Sequence, residues 1–204
     1  MKLFYSPGAC SLGIHVLLEE IGAPYDLSLV SLREGQQFSP AFRAVNPKGK
    51  VPALLRPDSS VLTEFQSIAF WLAHSFPQAA LLPDDMEHQI RIMELMDFIV
   101  ASVHMRGFTL LKVPQKFAPE SESAQTTIRA AGQAAARDGL AVLSEALGDK
   151  DYFFGDFSIA DAAAFYVTHW AKLENIPLTD ALNAFEARMI ARPAVARALK
   201  QEGL

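Results

Sequence analysis

Lys2-Leu3-Phe4-Tyr5-Ser6-Pro7-Gly8-Ala9-Cys10-Ser11-Leu12 is the stretch whose reading decides the fold. Residues 2–6 read as a strand, Ser6-Pro7-Gly8 as a turn, and residues 9–21 as a helix that Gly22 and Pro24 close. Residues 25–32 supply a second strand, with Leu27, Leu29 and Ser31 on one face and Ser28, Val30 and Leu32 on the other. After a polar loop over residues 33–39, a short helical turn begins at Pro40. Residues 51–56 and 61–63 then read as strands joined by a Pro57-Asp58-Ser59-Ser60 hairpin, and residues 64–75 as a third helix. The order β-α-β-α-β-β-α is that of a thioredoxin-like domain, assigned to residues 1–77.

Beyond Phe76-Pro77 only helical periodicity remains. Pro83-Asp84-Asp85 opens a helix on which Ile90, Met93, Met96, Phe98, Ile99, Val100 and Val103 form a broad apolar face, and residues 123–147 give a second long helix before Gly148-Asp149. In Phe157-Ser158-Ile159-Ala160-Asp161, Ser158 caps a nearly all-apolar helix and Asp161 returns a hydrogen bond, a capping box with a structural role. Residues 84–204 therefore read as an all-helical domain, and the whole as α/β followed by all-α.

Of 204 residues, 50% are hydrophobic, enough for a real core in two small domains. Lys plus Arg number 18 against 23 Asp plus Glu, and no basic run suits a nucleic-acid or anionic-membrane surface. No apolar stretch reaches the roughly 18 residues of a membrane span, and residues 1–5 lack the pattern of a signal peptide. The single cysteine, Cys10, excludes an intrachain disulfide framework and a cysteine-built zinc site, and makes the cytoplasm the expected location.

Three places carry chemistry. Cys10 stands where a turn feeds a helix, near unpaired N–H groups and the positive end of the helix dipole, which favours a thiolate; the alternative is a small buried hydrophobe. Gly13 in place of a second cysteine leaves any mixed disulfide or hydrogen bond to an external thiol. In Asn46-Pro47-Lys48-Gly49-Lys50-Val51-Pro52 a proline stands at a strand entrance, where a cis bond would leave Val51 able to pair with an extended peptide; an ordinary loop proline is the alternative. Glu64 and Phe65 open the third helix, whose start suits the zwitterionic head of an amino acid, or else Glu64 merely compensates the helix dipole.

Those motifs, with Leu62-Thr63-Glu64 and the Ser158 capping box, together resemble cytosolic glutathione transferases from residue 1 to the C-terminus, most closely the bacterial beta class. The resemblance implies a thioredoxin-like domain followed by a helical bundle, a homodimer, and glutathione as co-substrate. It implies Cys10 and His104 as catalytic residues facing the glutathione sulfur, and Ser11, Lys48, Val51, Pro52, Glu64 and Phe65 as its binding residues. Val51, before a cis Pro52, would pair with the cysteinyl backbone, and Glu64 with Phe65 would hold the γ-glutamyl head. In Val103-His104-Met105-Arg106-Gly107-Phe108 the spacing from His104 to Gly107-Phe108 is one residue longer than the beta-class pattern. Phe65 replaces a usual serine or glycine, Gly35 stands where the class can offer a lysine, and Asp97 where an asparagine is expected. The implied activity is conjugation of a small hydrophobic electrophile in a cleft between domains, lined by residues 98–113 and a loop at residues 12–15. The alternatives are a glutathione-dependent thiol exchanger or lyase using Cys10, and a non-catalytic binding protein on the same fold.

Overall fold

β1 (Lys2–Tyr5) lies second in a four-stranded sheet ordered β2-β1-β3-β4. β2 (Asp26–Leu29) runs parallel to it; β3 (Ala53–Leu55) and β4 (Val61–Thr63) follow antiparallel on the other side, with Phe4 opposite both Ser28 and Ala53. The computed structural model describes every residue from Met1 to Leu204. A parallel β1–β2 pair needs a crossover, which α1 (Ser11–Ile21) provides. The short α2 (Pro40–Val45) precedes β3, and α3 (Phe65–Ser75) follows β4, so the element order is the one read from sequence. The strands are shorter than expected; Val30, just past β2, is still held to the sheet by its N–H on Tyr5 O at 2.8 Å.

The chain divides into two compact units, Met1–Asp84 with Met189–Leu204, and Asp85–Arg188. Sequence reading assigns residues 84–204 wholly to the helical domain, whereas the last helix, α9 (Pro193–Glu202), belongs with the first unit. It packs along α1, which is buried on every side from Ser11 to Leu18, and Arg192 and Arg197 pair with Glu20 and Glu19 of α1. An apolar helix covered by the sheet on one side alone would expose its other flank; α9 closes it.

In the second unit, α4 (Met86–Phe98) runs without a break into a π-helical stretch (Ile99–Phe108) and α5 (Thr109–Lys112). α6 (Glu122–Leu147), the buried α7 (Ile159–Leu173) and most of α8 (Asp180–Ala191) complete it. α6 comes so close to the π-helical stretch and α5 that a Cβ on Gly132 would lie 2.4 Å from Leu111 N, so glycine is required there. No helix is long and apolar enough to cross a membrane.

Candidate functional site

The turn ahead of α1 is closed by Ala9 N–H on Ser6 O at 3.0 Å, with Pro7 second and Gly8 third. Gly8 has φ +67°, the type II arrangement that admits glycine readily and other residues only with strain. Ser11 is buried, and its hydroxyl accepts from Ser6 N–H and donates to Ser6 O, both at 3.2 Å. Its side chain therefore fixes the turn rather than facing outward.

This turn delivers Cys10 to the N-cap position of α1, where its side chain makes no capping bond. The thiol instead donates to Val51 O, with Sγ 3.5 Å away. Residue Cys10 is only partly buried as a whole, yet burial of the thiol pushes its pKa up to about 12. The N–H groups of Cys10 and Ser11 and the charge of Lys50 pull it down, and Glu64 pushes it further up. Burial thus works against the thiolate that the helix start favours, and loss of solvation outweighs the pull of the N–H groups.

Val51 is presented by a loop that the buried Asn46 clamps from within, its amide donating to Lys50 O at 2.7 Å and accepting from Lys48 N–H at 3.1 Å. The Val51-Pro52 peptide is cis, and the Val51 N–H has no acceptor within the chain. Glu64 precedes α3 with φ 71° and ψ 131°, outside the regions favoured by residues with a side chain, and its carboxylate is about half exposed. Lys48 Nζ meets Glu64 Oε1 at 2.6 Å and Thr63 Oγ1 at 2.9 Å. Phe65 is 4% exposed, its ring in the core, so what it can offer a ligand is main chain at the helix start.

The first unit thus brings Cys10 to Val51 before Pro52 and Lys48 to Glu64, while the Ser11 hydroxyl turns to Ser6 and the Phe65 ring to the core. Leu12 to His15, expected as a pocket-lining loop, are instead buried turns of α1. His104 belongs to the second unit, in the π-helical stretch, where Thr109 N–H reaches back five residues to His104 O. The imidazole lies edge-on to Trp170, ring centres 4.8 Å apart, and its Nδ1 is 3.3 Å from the Tyr166 hydroxyl.

Sequence reading missed His15 and Glu202. His15 is fully buried, with Nδ1 2.9 Å from Glu202 Oε1 and Nε2 2.7 Å from Gln201 Oε1. Glu202 also accepts from Gly8 N–H at 2.8 Å. Their partners are as much as 194 residues apart, and no local pattern marks such a pair.

Comparison with known proteins identifies the family and the fold. The family profile described as glutathione S-transferase, N-terminal domain, matches residues 8–75, and its C-terminal counterpart matches residues 126–200. Glutathione S-transferase GstA of Escherichia coli O157:H7 is 39% identical over the full length of both chains. A bacterial beta-class glutathione S-transferase from Sphingomonas chungbukensis superposes with a TM-score of 0.85 at 34% identity, covering all of both chains. A sphingomonad glutathione S-transferase solved in complex with glutathione gives 0.82 at 33%, again over all of both chains.

Proposed function

The chain belongs to the glutathione S-transferase family, and from that membership we propose that it conjugates glutathione to small hydrophobic electrophiles, with the first unit holding the glutathione. The observation that carries this reading is Cys10 Sγ at 3.5 Å from Val51 O, a thiol beside a backbone edge whose N–H is unpaired. A tripeptide whose cysteinyl residue pairs with Val51 N–H and C=O brings its own sulfur toward Cys10. Glu64 takes the γ-glutamyl ammonium, and the N–H groups opening α3 take the adjoining carboxylate. Lys48 acts through Glu64, and Ser11 through the turn it fixes.

A thiol that donates to Val51 O and that burial pushes toward its neutral form supports the transferase reading over the exchanger. The glutathione thiol gives up its proton to solvent, Cys10 donates its S–H as a hydrogen bond to the resulting thiolate, and that sulfur forms the bond to the electrophilic carbon while the leaving group departs; Cys10 itself is unchanged. His104 is the second catalytic residue of this reading. We also read the protein as a cytoplasmic homodimer with a detoxifying role: a lone cysteine suits a reducing compartment, and Met86 and Ile90 of α4 offer exposed apolar surface to a second copy.

Titration calorimetry with glutathione and an aryl-halide conjugation assay test the site. Wild type binds and conjugates, and His104→Ala lowers turnover more than it raises the dissociation constant. Stoichiometric mixed disulfide at Cys10 by intact mass during turnover puts the exchanger ahead, and no binding at millimolar glutathione puts the non-catalytic protein ahead. Sedimentation equilibrium tests the dimer.

A further inference from the structure

We propose that Glu202, backed by His15, is a positioning residue for Cys10 that acts through the turn between β1 and α1; this rests on the reading of Cys10 as the residue facing the glutathione sulfur. The Glu202 side chain has no exposed surface, and its two oxygens are divided between two partners. Oε2 accepts from Gly8 N–H at 2.8 Å and Oε1 meets His15 Nδ1 at 2.9 Å. Gly8 is the glycine-dependent third position of the turn, two residues before Cys10, and His15 lies in the helix that Cys10 begins. One carboxylate therefore spans both sides of Cys10 in the chain.

The grip is itself anchored. α9 is tied along α1 by Arg192 to Glu20 at 2.7 Å and by Arg197 to Glu19, so Glu202 enters from a fixed direction. Gln201 occupies the other His15 nitrogen and is oriented by its own amide donating to Glu19 Oε1 at 2.9 Å. Leu204, the last residue, lies over Gly8, its methyl carbons 3.8 Å from where a Cβ would stand. Without Glu202 the Gly8 N–H loses its acceptor on α9, the turn keeps its Ser11–Ser6 bonds but loses this restraint on the Gly8 side, and the Cys10 sulfur is held less firmly 3.5 Å from Val51 O. The contacts proposed for glutathione, at Val51 and Glu64, lie on other segments.

The full-length protein is compared with Glu202→Ala and Glu202→Gln by the iodoacetamide alkylation rate of Cys10, by glutathione binding, and by kcat, at a temperature where circular dichroism shows each folded. Glu202→Ala is expected to raise the alkylation rate tenfold or more and to lower kcat tenfold, with the glutathione dissociation constant within threefold of wild type. Glu202→Gln, which keeps an oxygen for Gly8 N–H, is expected to return both rates to within threefold. If the alanine variant does not fold, Glu202→Asp, too short to reach both partners, carries the test with an expected rise in alkylation of at least threefold. A lowered melting temperature with alkylation and kcat per folded molecule at wild-type values overturns the proposal. If wild type binds no glutathione, the site reading falls, while the alkylation ratio still decides whether Glu202 positions Cys10.

Discussion

The starts of α1 and α7 solve the same problem in opposite ways. α7 is capped by its own neighbourhood: Ser158 Oγ accepts from Ala160 N–H, and the buried Asp161 accepts from Ser158 N–H, Ser158 Oγ–H and Phe153 N–H between 2.8 and 3.0 Å. α1 has a cysteine where a cap would stand, and its turn is held by a carboxylate 194 residues away from Gly8. The first start is a local device for stability. At the second, the capping position is given to a thiol and the structural duty is moved to α9, which is what a helix start needs if its cap residue is to meet a ligand.

Asp161→Ala should break the local device and have the largest effect on stability. It leaves two buried N–H groups and the cap hydroxyl without their acceptor, and the loss expected in denaturant unfolding is about 3 kcal/mol. Burial pushes the Asp161 pKa up, from 3.8 to about 6, against the hydrogen bonds from Phe153 and Ser158. With the folded value above the unfolded one, the folded state binds the proton more tightly, so stability falls as pH rises from about 4 to about 6. That rise corresponds to about 3 kcal/mol, and the wild-type stability relative to Asp161→Asn should decline by that order between pH 4 and pH 7. A difference that stays constant with pH would mean Asp161 is charged at no cost.

The same contrast explains what the sequence made legible. The Ser158 and Asp161 bonds span at most eight residues, so the capping box could be read directly, as could the β-α-β-α-β-β-α order set by Pro-Gly turns and alternation. The membership of α9 in the first unit, and the His15–Glu202 pair that comes with it, depend on tertiary packing of distant segments. The helix start that favours a Cys10 thiolate is visible in sequence, while the burial that pushes the thiol the other way is not. Phe65 is a departure in the sequence pattern, and no local pattern shows that its ring lies in the core.

Cys10 reactivity sharpens the comparison next. With its pKa near 12, the folded protein carries about a thousandth of the thiolate of an ordinary cysteine near 9 at neutral pH. The more basic thiolate is the better nucleophile, which returns part of that, so alkylation in ligand-free protein should be about fiftyfold slower than in denatured protein. Stopped-time alkylation with mass detection should show the rate climbing tenfold per pH unit through pH 10. A plateau below pH 9 would mean that the helix start prevails over burial after all.

The start of α3 is a third case, strained rather than capped. Glu64 holds φ 71° without a side-chain cap, a conformation that costs a residue with a Cβ about 1–3 kcal/mol. Glu64→Gly relieves it and loses part of the gain to the freer unfolded chain, for a net stabilisation of about 1 kcal/mol. The same change removes the carboxylate proposed for the γ-glutamyl ammonium, so glutathione affinity should fall at least tenfold. Stability and affinity moving in opposite directions mark strain kept for binding; both falling together would make Glu64 an ordinary structural residue.

Lys48→Ala has the smallest expected effect, and it decides whether α3 is held in the manner of α7. Lys48 Nζ is 2.6 Å from Glu64 Oε1 and 2.9 Å from Thr63 Oγ1, close enough to look like a side-chain clamp on the strained residue. Yet the side chains of Lys48 and Glu64 are 50% and 53% exposed, and at that exposure water and salt screen the pair while a long lysine must give up its freedom to keep it. The start of α3 has a stronger anchor in Phe65, whose ring is buried directly beside Glu64 in the chain. Removing Lys48 should therefore change the unfolding free energy by no more than about 0.5 kcal/mol, with no dependence on added salt beyond that margin. A loss above about 1.5 kcal/mol that fades at high salt would show the ion pair bearing the strain at Glu64, and α3 would then join α7 as a helix whose start is fixed by its own side chains.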